Sequence, residues 1–289
     1  MQPLTMDLPQ QAGAGHIDPR WPLEQPSRAE LLSPLRQRQL IWAFVALGLA
    51  ARAVRYLLRF PLWEDECFLA CNFIDQTYAG LLRPLNYHQV APLGFLWIEL
   101  SFVKLLGFHE AALRLFAFAA SVGSVLLFRQ LVGRLLSGTA AVLAVAVFCV
   151  SYSGIRYAAE AKPYGPDQFM ALVLLALAVE WWRRPEQRRW LPLLIVAVPA
   201  AVCVSYPAVF VAGGLSVWMA AVMIAERRRG WLVWLVLNAV LFVSFAAVFL
   251  LASQNQAAAE LGYMQNFWKE HLPSLTSPLH FAWWLLVTH

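Results

Sequence analysis

The feature that most limits the fold of this chain is a series of apolar segments, each long enough to cross a bilayer. A transmembrane helix needs about 17–25 mostly apolar residues, and segments of this kind follow one another between Leu40 and Leu251. Only 13% of the 289 residues are charged, whereas a soluble domain has about 25%. Lipid offers no partner for backbone N–H and C=O groups, so such segments must be helical. The sequence therefore predicts an all-α, polytopic transmembrane helix bundle.

Most of the apolar segments are predicted to span the membrane. The expected spans are 40–58, 111–132, 139–152, 166–182, 191–205, 208–225 and 231–251. The segment 92–106 is short and carries Glu99 and Lys104, and a charge at the centre of a span costs about 2.5–3.5 kcal/mol. We interpret it as an outer juxtamembrane or re-entrant helix. A last apolar segment begins near Phe281 and stops at His289, so we expect a bundle that is truncated at its C-terminus.

Residues 1–38 are polar and rich in Pro and Gln, which predicts a disordered cytoplasmic tail ahead of a transmembrane domain at 39–289. Arginines in short loops mark the cytoplasmic side, and here they follow the spans that end near Trp182 and Ala225. The loops 59–110 and 156–165 are then outer loops, provided that 92–106 does not cross. If it does cross, 59–90 lies on the opposite side. The net charge of +5 comes from these loop arginines, so no nucleic-acid partner is expected.

Three adjacent carboxylates, Glu64, Asp65 and Glu66, follow the first predicted span in the sequence LWEDE. Acids contribute little to membrane orientation, so this position does not explain them. A carboxylate at the membrane surface can take a proton from an acceptor, or hold a divalent cation that bridges a phosphate. The alternative is an acidic first turn that is stabilised by the dipole of the next helix.

The outer loop 156–165, with the sequence RYAAEAKPYG, combines two cations, one acid and two tyrosines. Arg156 and Lys162 can hold phosphate oxygens, and Glu160 can pair with a cation or orient it. The alternative is interfacial anchoring, because Tyr, Lys and Arg collect at bilayer edges.

Two further features are expected near the same face. Arg52, Arg55 and Arg59 form one stripe at the outer end of the first span, where they can receive a lipid phosphate or snorkel to headgroups. His88, in the sequence NYHQVAP, can donate to a phosphate, take part in proton transfer or act as a polar anchor. No Cys/His pattern predicts a zinc site.

Four motifs occur in order along the sequence, and together they resemble the GT-C superfamily of membrane glycosyltransferases. They are LWEDE (62–66), HQVAP (88–92), ALRLF (112–116) and RYAAEAKPYG (156–165). The likeness is to the protein O-mannosyltransferase-like and aminoarabinose-transferase-like branch. Its members show L-W-x-D-E after the first span, an H-x-P-like motif before a juxtamembrane helix, L-R-L at the second span and R-Y-x-x-E-x-R-x-Y after the third. The likeness covers roughly residues 52–225, and the ordered set is more specific than any one motif.

The resemblance implies an inverting transfer of sugar from a polyprenyl-phosphate donor to an acceptor, at the outer face of the plasma (inner) membrane. It makes Asp65 the candidate catalytic carboxylate, with Glu66 in support. The expected substrate-binding residues are Arg55, His88, Arg156, Tyr157, Glu160, Lys162 and Tyr164. Some relatives bind a divalent cation, which makes such an ion a candidate cofactor without assigning its ligands. The expected partners are the donor, membrane lipids and an acceptor that the sequence does not identify.

The sequence also departs from the pattern of this branch. HQVAP replaces the commoner H-P-P, and Lys162 replaces an arginine, so the bidentate fork of a guanidinium is lost. Further C-terminal spans and an outer soluble domain, which many members have, are not in this sequence. Two other classes stay open: a transporter or flippase for a lipid-linked substrate, and a non-catalytic truncated subunit. Transporters place ionisable residues near the midplane, whereas here these residues lie at the ends of spans.

Overall fold

A computed structural model of the protein describes residues 32–187, 189–268 and 277–288. Within these ranges every regular element is helical, so the predicted all-α polytopic bundle is confirmed. Residues 1–31 of the predicted tail lie outside the described residues.

The elements follow one another in chain order. They are α1 (Pro34–Leu57), α2 (Glu64–Asp75), α3 (Leu93–Leu106), α4 (Glu110–Leu113), α5 (Leu115–Leu135), α6 (Gly138–Val150), α7 (Tyr152–Arg156), α8 (Tyr164–Arg183), α9 (Trp190–Val204), α10 (Ala208–Ala225), α11 (Trp231–Val248), α12 (Gln254–Trp268) and α13 (Pro278–Thr288). Short 3-10 turns occupy Gly80–Leu82 and Tyr157–Ala159. A π-helical segment, Phe249–Ser253, joins α11 to α12.

The first helix begins earlier than predicted. Its start signals are Ser33, whose side chain accepts a hydrogen bond from the backbone N–H of Arg36 at 3.4 Å, and Pro34 in the first turn. The predicted boundary between tail and domain at residue 38 therefore falls inside α1.

Four helical stretches of the described chain are long and apolar enough to cross a membrane. They are Pro34–Leu57, Leu115–Leu135, Ala208–Ala225 and Trp231–Met264. The pair Gly138–Val150 and Tyr152–Ala159, bent by 48°, makes a fifth if it is one span. The other two predicted spans correspond to α8, which opens with the polar residues Asp167 and Gln168, and to α9, which has only 15 residues.

One end of the bundle collects the arginine-rich loops. The side chain of Arg134 forms an ion pair with Glu180 at 3.0 Å, and Arg183 donates to the carbonyl oxygen of Arg134. Arg228 donates to the carbonyl oxygen of Trp182 at 2.9 Å. The loops that were predicted to share one side of the membrane therefore do lie together.

The opposite end is covered by a layer made of α2, α3 and α4. This layer has its own apolar core, which includes Phe95, Leu113 and Ala161. α3 packs against the end of α9 so closely that a Cβ atom at Gly94 would lie 2.8 Å from Cys203 Sγ. Ala161 belongs to the loop 156–165, so that loop and 59–90 lie at the same end, as the non-spanning interpretation of 92–106 requires.

The last long helical stretch is longer than its predicted span of 231–251. It passes through the π-helical segment and runs on into α12, which is polar at its start. This continuation carries Gln256 and Glu260, and both of these polar residues are buried.

Candidate active site

Asp65 is the centre of a polar site at the end of the bundle opposite the arginine-rich loops. Its Oδ2 lies 2.7 Å from Lys162 Nζ, and its Oδ1 accepts a hydrogen bond from Gln89 Nε2 at 3.1 Å. Lys162 also donates to Gln89 Oε1 at 2.8 Å, which closes a triangle of three side chains. The side chain of Lys162 is 9% exposed, whereas that of Asp65 is 36% exposed. The carboxylate is therefore held in place and is still open to a ligand.

Glu66 lies next to Asp65 but is enclosed. Its carboxylate receives two hydrogen bonds from the guanidinium of Arg114, at 2.9 and 2.7 Å, and its side chain is 1% exposed. It also accepts from the backbone N–H groups of Trp63 at 3.2 Å and Ala161 at 2.7 Å. With both oxygens occupied in this way, Glu66 joins α2 to the junction between α4 and α5 and to the loop 156–165, and it has no access to a substrate.

Arg114 completes this connection. It donates to the carbonyl oxygen of Phe60 at 2.6 Å and to that of Pro61 at 3.4 Å. These contacts fix the segment that leads into α2. Asp65 is therefore placed by a buried ion pair that forms immediately beside it.

Two further pairs of side chains lie in the loop 156–165. Arg156 Nε donates to Glu160 Oε1 at 2.6 Å, and Glu160 is 3% exposed. The rings of Tyr157 and Tyr164 lie 4.6 Å apart, and Tyr164 is close enough to Asp65 for the two side chains to interact electrostatically.

The arginine stripe on α1 divides into separate environments. Arg52 is fully buried and donates to the carbonyl oxygens of Gly48 and Cys149 and to the hydroxyl of Ser121. It therefore neither snorkels nor faces a lipid. The guanidinium of Arg55 lies 4.2 Å from the ring centroid of Phe60, and Arg59 has a left-handed backbone with φ 45°.

His88 is held by α12, a helix that lies beyond the spans predicted from the sequence. Its Nδ1 lies 2.6 Å from Glu260 Oε2, and its ring stacks on that of Tyr263 with centroids 4.3 Å apart. His88 directly precedes Gln89, so the structure brings it to the margin of the Asp65 site.

Gln89, Arg114 and Glu260 were not among the site residues predicted from the sequence. Gln89 and Arg114 stand inside motifs that were recognised, so a residue-by-residue reading of HQVAP and ALRLF would have found them. Glu260 carries no local signal, since it lies in a polar helix far along the chain.

The site does not suit a divalent cation. The ammonium group of Lys162 occupies Asp65 Oδ2, and the guanidinium of Arg114 occupies both oxygens of Glu66. Across the described ranges, no three His, Cys, Asp or Glu side chains come together as a metal site would require.

Two cavities lie near this site. One, of about 290 Å³, is lined mostly by residues of polar type: Ser121, Ser151, Ser153, Gly154, Tyr157, Tyr164, Gly165, Asp167 and Gln168. The other is a mainly apolar groove of about 530 Å³ between α5, α6 and α8. Ser151 and Gln168 line both of them, so the two cavities are neighbours.

Comparison with known families adds an independent finding. The family model described as dolichyl-phosphate-mannose-protein mannosyltransferase matches residues 90–253, which is more than half of the 289 residues. No curated protein and no solved structure matches the chain. The match begins after Asp65, so it supports the class of protein and leaves the role of that carboxylate to the geometry. By this match the chain belongs to the dolichyl-phosphate-mannose-protein mannosyltransferase family, a GT-C family of membrane glycosyltransferases.

Proposed function

We propose that the protein transfers a sugar, with inversion, from a polyprenyl-phosphate donor to an acceptor at the outer face of the membrane, with Asp65 as the general base. The observation that carries the proposal is the geometry of Asp65, which is fixed by Lys162 at 2.7 Å and Gln89 at 3.1 Å and is 36% exposed. A general base must be positioned and must also be reachable by the proton that it removes.

The reaction needs one proton transfer and one displacement. Asp65 takes the proton from the acceptor hydroxyl or amine as its oxygen or nitrogen forms a bond to the anomeric carbon. The bond between that carbon and the phosphate oxygen breaks, and its electron pair leaves with the lipid phosphate. Attack from the face opposite the leaving group inverts the anomeric configuration.

Fixed cations lower the barrier by stabilising the charge that develops on the departing phosphate. Lys162 is the nearest cation to Asp65, and Arg156 lies six residues earlier in the same loop. Both side chains are tied to carboxylates, Lys162 to Asp65 and Arg156 to Glu160. They are therefore oriented before the donor binds, which is the condition for such stabilisation to be effective.

The two neighbouring cavities support a lipid-linked donor. The apolar groove suits an isoprenoid chain at the depth of the membrane, and the second cavity is lined by Tyr164, whose side chain interacts electrostatically with Asp65. A ligand with an apolar tail and a polar head suits this pair of cavities better than a soluble nucleotide sugar would.

The sidedness of the reaction follows from the arginines. Loops rich in Arg stay in the cytoplasm, and they lie at the end of the bundle opposite Asp65. We therefore place Asp65 on the extracytoplasmic side, and we place the protein in the plasma (inner) membrane.

The proposal is tested with membranes that carry wild type, Asp65→Asn or Glu64→Gln at matched expression. Glu64 is the matched control because it is an exposed carboxylate next to Asp65. Consumption of each member of a panel of labelled polyprenyl-phosphate sugars is measured. Wild type and Glu64→Gln are expected to consume one donor, and Asp65→Asn is expected to be slower by about 10²–10⁴-fold. Consumption by Asp65→Asn at the wild-type rate would refute the assignment.

A further inference from the structure

A second cluster of polar and aromatic residues lies beside the Asp65 site and links it to α12. His88 Nδ1 is 2.6 Å from Glu260 Oε2, and the His88 ring stacks on Tyr263 with an interplanar angle of 4°. The side chain of Glu260 is 7% exposed, whereas that of His88 is 58% exposed. The acid is thus buried behind the imidazole, and the imidazole faces the surroundings.

The backbone under this cluster is strained. Tyr87 and His88 have φ values of 61° and 55°, in the left-handed region that residues with a Cβ atom rarely adopt. Strained residues of this kind persist only where the surrounding structure holds them, and they concentrate at ligand-binding segments. Here Tyr87 stacks on Phe68, with ring centroids 5.4 Å apart, and His88 is held by Glu260 and Tyr263.

The same helix also fixes the far end of this loop. Gln256, one helical turn before Glu260, accepts a hydrogen bond from the backbone N–H of Ala91 at 3.3 Å. The hydroxyl oxygen of Tyr206 lies 3.0 Å from the carbonyl oxygen of Ala91 and 3.2 Å from Gln256 Oε1, and its single hydrogen can be donated to either of them. One face of α12 therefore holds the loop on both sides of Gln89, the residue that binds Asp65 and Lys162.

The contact with Glu260 fixes the direction in which the ring nitrogens of His88 point. An ionised carboxylate can only accept, so the 2.6 Å contact is satisfied when Nδ1 carries a hydrogen and donates it to Glu260. Since more than half of the side chain is exposed, Nε2 is the ring nitrogen that is available to a ligand.

We infer that Glu260 is a positioning residue, which holds the His88 ring through Nδ1 so that Nε2 meets the phosphate of a polyprenyl-phosphate ligand and donates a hydrogen bond to it. This inference rests on the proposed function, and it assigns α12 a part in holding the donor. An anionic ligand fits because Gln89, the residue that follows His88, holds the cation Lys162. In the bound state Nδ1 donates to Glu260 and Nε2 to a phosphate oxygen, and no proton moves to the ligand.

The inference is tested by measuring the rate at which diethyl pyrocarbonate carbethoxylates His88 in membranes, with mass spectrometry as the readout. Undecaprenyl phosphate is the probe, and undecaprenol is the control without phosphate. His109 is an internal control, because it is also exposed and its Nδ1 caps α4 by accepting from the N–H of Ala112. The variants are Glu260→Leu, which removes the contact, and Glu260→Gln, which keeps an acceptor oxygen of the same shape.

Undecaprenyl phosphate, but not undecaprenol, is expected to slow the modification of His88 in wild type and to leave that of His109 unchanged. The protection is expected to be lost in Glu260→Leu and mostly kept in Glu260→Gln. No protection in wild type, or full protection in Glu260→Leu, would overturn the inference. Because this assay needs no sugar transfer, its result is independent of whether any donor in the panel is consumed.

A kinetic measurement separates positioning from general stability. Glu260→Leu and His88→Ala are each expected to raise the KM for the donor about tenfold or more, which is the size of a lost hydrogen bond to a charged group. The double variant should be no worse than the single variants, because both changes remove the same contact. Additive losses, or losses in kcat alone, would contradict a shared role in binding phosphate.

Discussion

Removal of either partner of the ion pair between Glu66 and Arg114 is expected to destabilise the layer that carries Asp65. The two side chains are 1% and 5% exposed, and they share two hydrogen bonds. Arg114→Leu would leave the carboxylate of Glu66 buried without its cation. It would also free the carbonyl oxygens of Phe60 and Pro61, which Arg114 now satisfies.

The size of the expected loss in the free energy of unfolding follows from these contacts. Loss of one partner of a buried pair costs about 3–5 kcal/mol, because it leaves an uncompensated charge. In the double variant Glu66→Leu/Arg114→Leu no charge remains buried. The backbone N–H of Ala161 still loses its acceptor, however, and such a loss costs about 1–3 kcal/mol. The other groups that are freed, the N–H of Trp63 and the carbonyl oxygens of Phe60 and Pro61, belong to exposed residues, so water can replace their partners. The double variant should therefore be more stable than either single variant.

The free energy of unfolding can be measured by titrating purified protein in mixed micelles with SDS. Arg134→Leu is the control, because Arg134 is 41% exposed in its pair with Glu180, and such pairs contribute about 0–1 kcal/mol. If the losses of Glu66→Leu and Arg114→Leu simply add in the double variant, the two side chains are not coupled, and the reasoning is refuted.

Two further predictions concern the layer formed by α2, α3 and α4. Gly94→Ala is expected to lower the free energy of unfolding by about 1–3 kcal/mol, because its Cβ would lie 2.8 Å from Cys203 Sγ. Gly214→Ala is the control and should be neutral, since no atom would lie within 4 Å of its Cβ. Equal effects of the two variants in SDS unfolding would contradict the close packing at Gly94. Burial raises the pKa of Glu99 well above its ordinary value of 4.5. Between pH 4.5 and the raised pKa of the folded state, Glu99 loses its proton in the unfolded chain and keeps it in the folded chain. The free energy of unfolding therefore falls as the pH rises through this range, by up to about 1.4 kcal/mol per pH unit. Glu99→Gln should remove that slope, and an unchanged slope would show that another group causes it.

The sequence predicted the helices well, because the pattern of apolar segments has a direct physical cause in the bilayer. It also predicted that 92–106 does not cross, from the cost of Glu99 and Lys104 at a span centre. The contact between Asp65 and Lys162 could not be predicted from such a pattern. No spacing rule brings together residues that lie so far apart in the chain, and only the resemblance placed both in one site.

Other features could not be predicted, because they depend on where a neighbouring element ends. The spacing of the arginines predicted correctly that Arg52 lies on a helix. Only the structure shows that α6 ends at Val150, which leaves the carbonyl oxygen of Cys149 without a helical partner and lets Arg52 donate to it. The same holds for Glu260, since a buried acid in a polar helix acquires a role only through the loop that packs against it.

The two departures from the motifs of the family form one contact. A lysine stands at position 162, where the pattern has an arginine, and it loses the planar fork that would fix a guanidinium. A glutamine stands at position 89, in the motif that commonly reads H-P-P, where a proline could offer neither a side-chain donor nor an acceptor. Gln89 Oε1 accepts from Lys162 Nζ at 2.8 Å while its Nε2 donates to Asp65 at 3.1 Å. Because the ammonium group is a compact donor on a flexible stem, this amide supplies the orientation that the lysine lacks. The site therefore keeps a fixed cation beside its carboxylate with a different pair of residues.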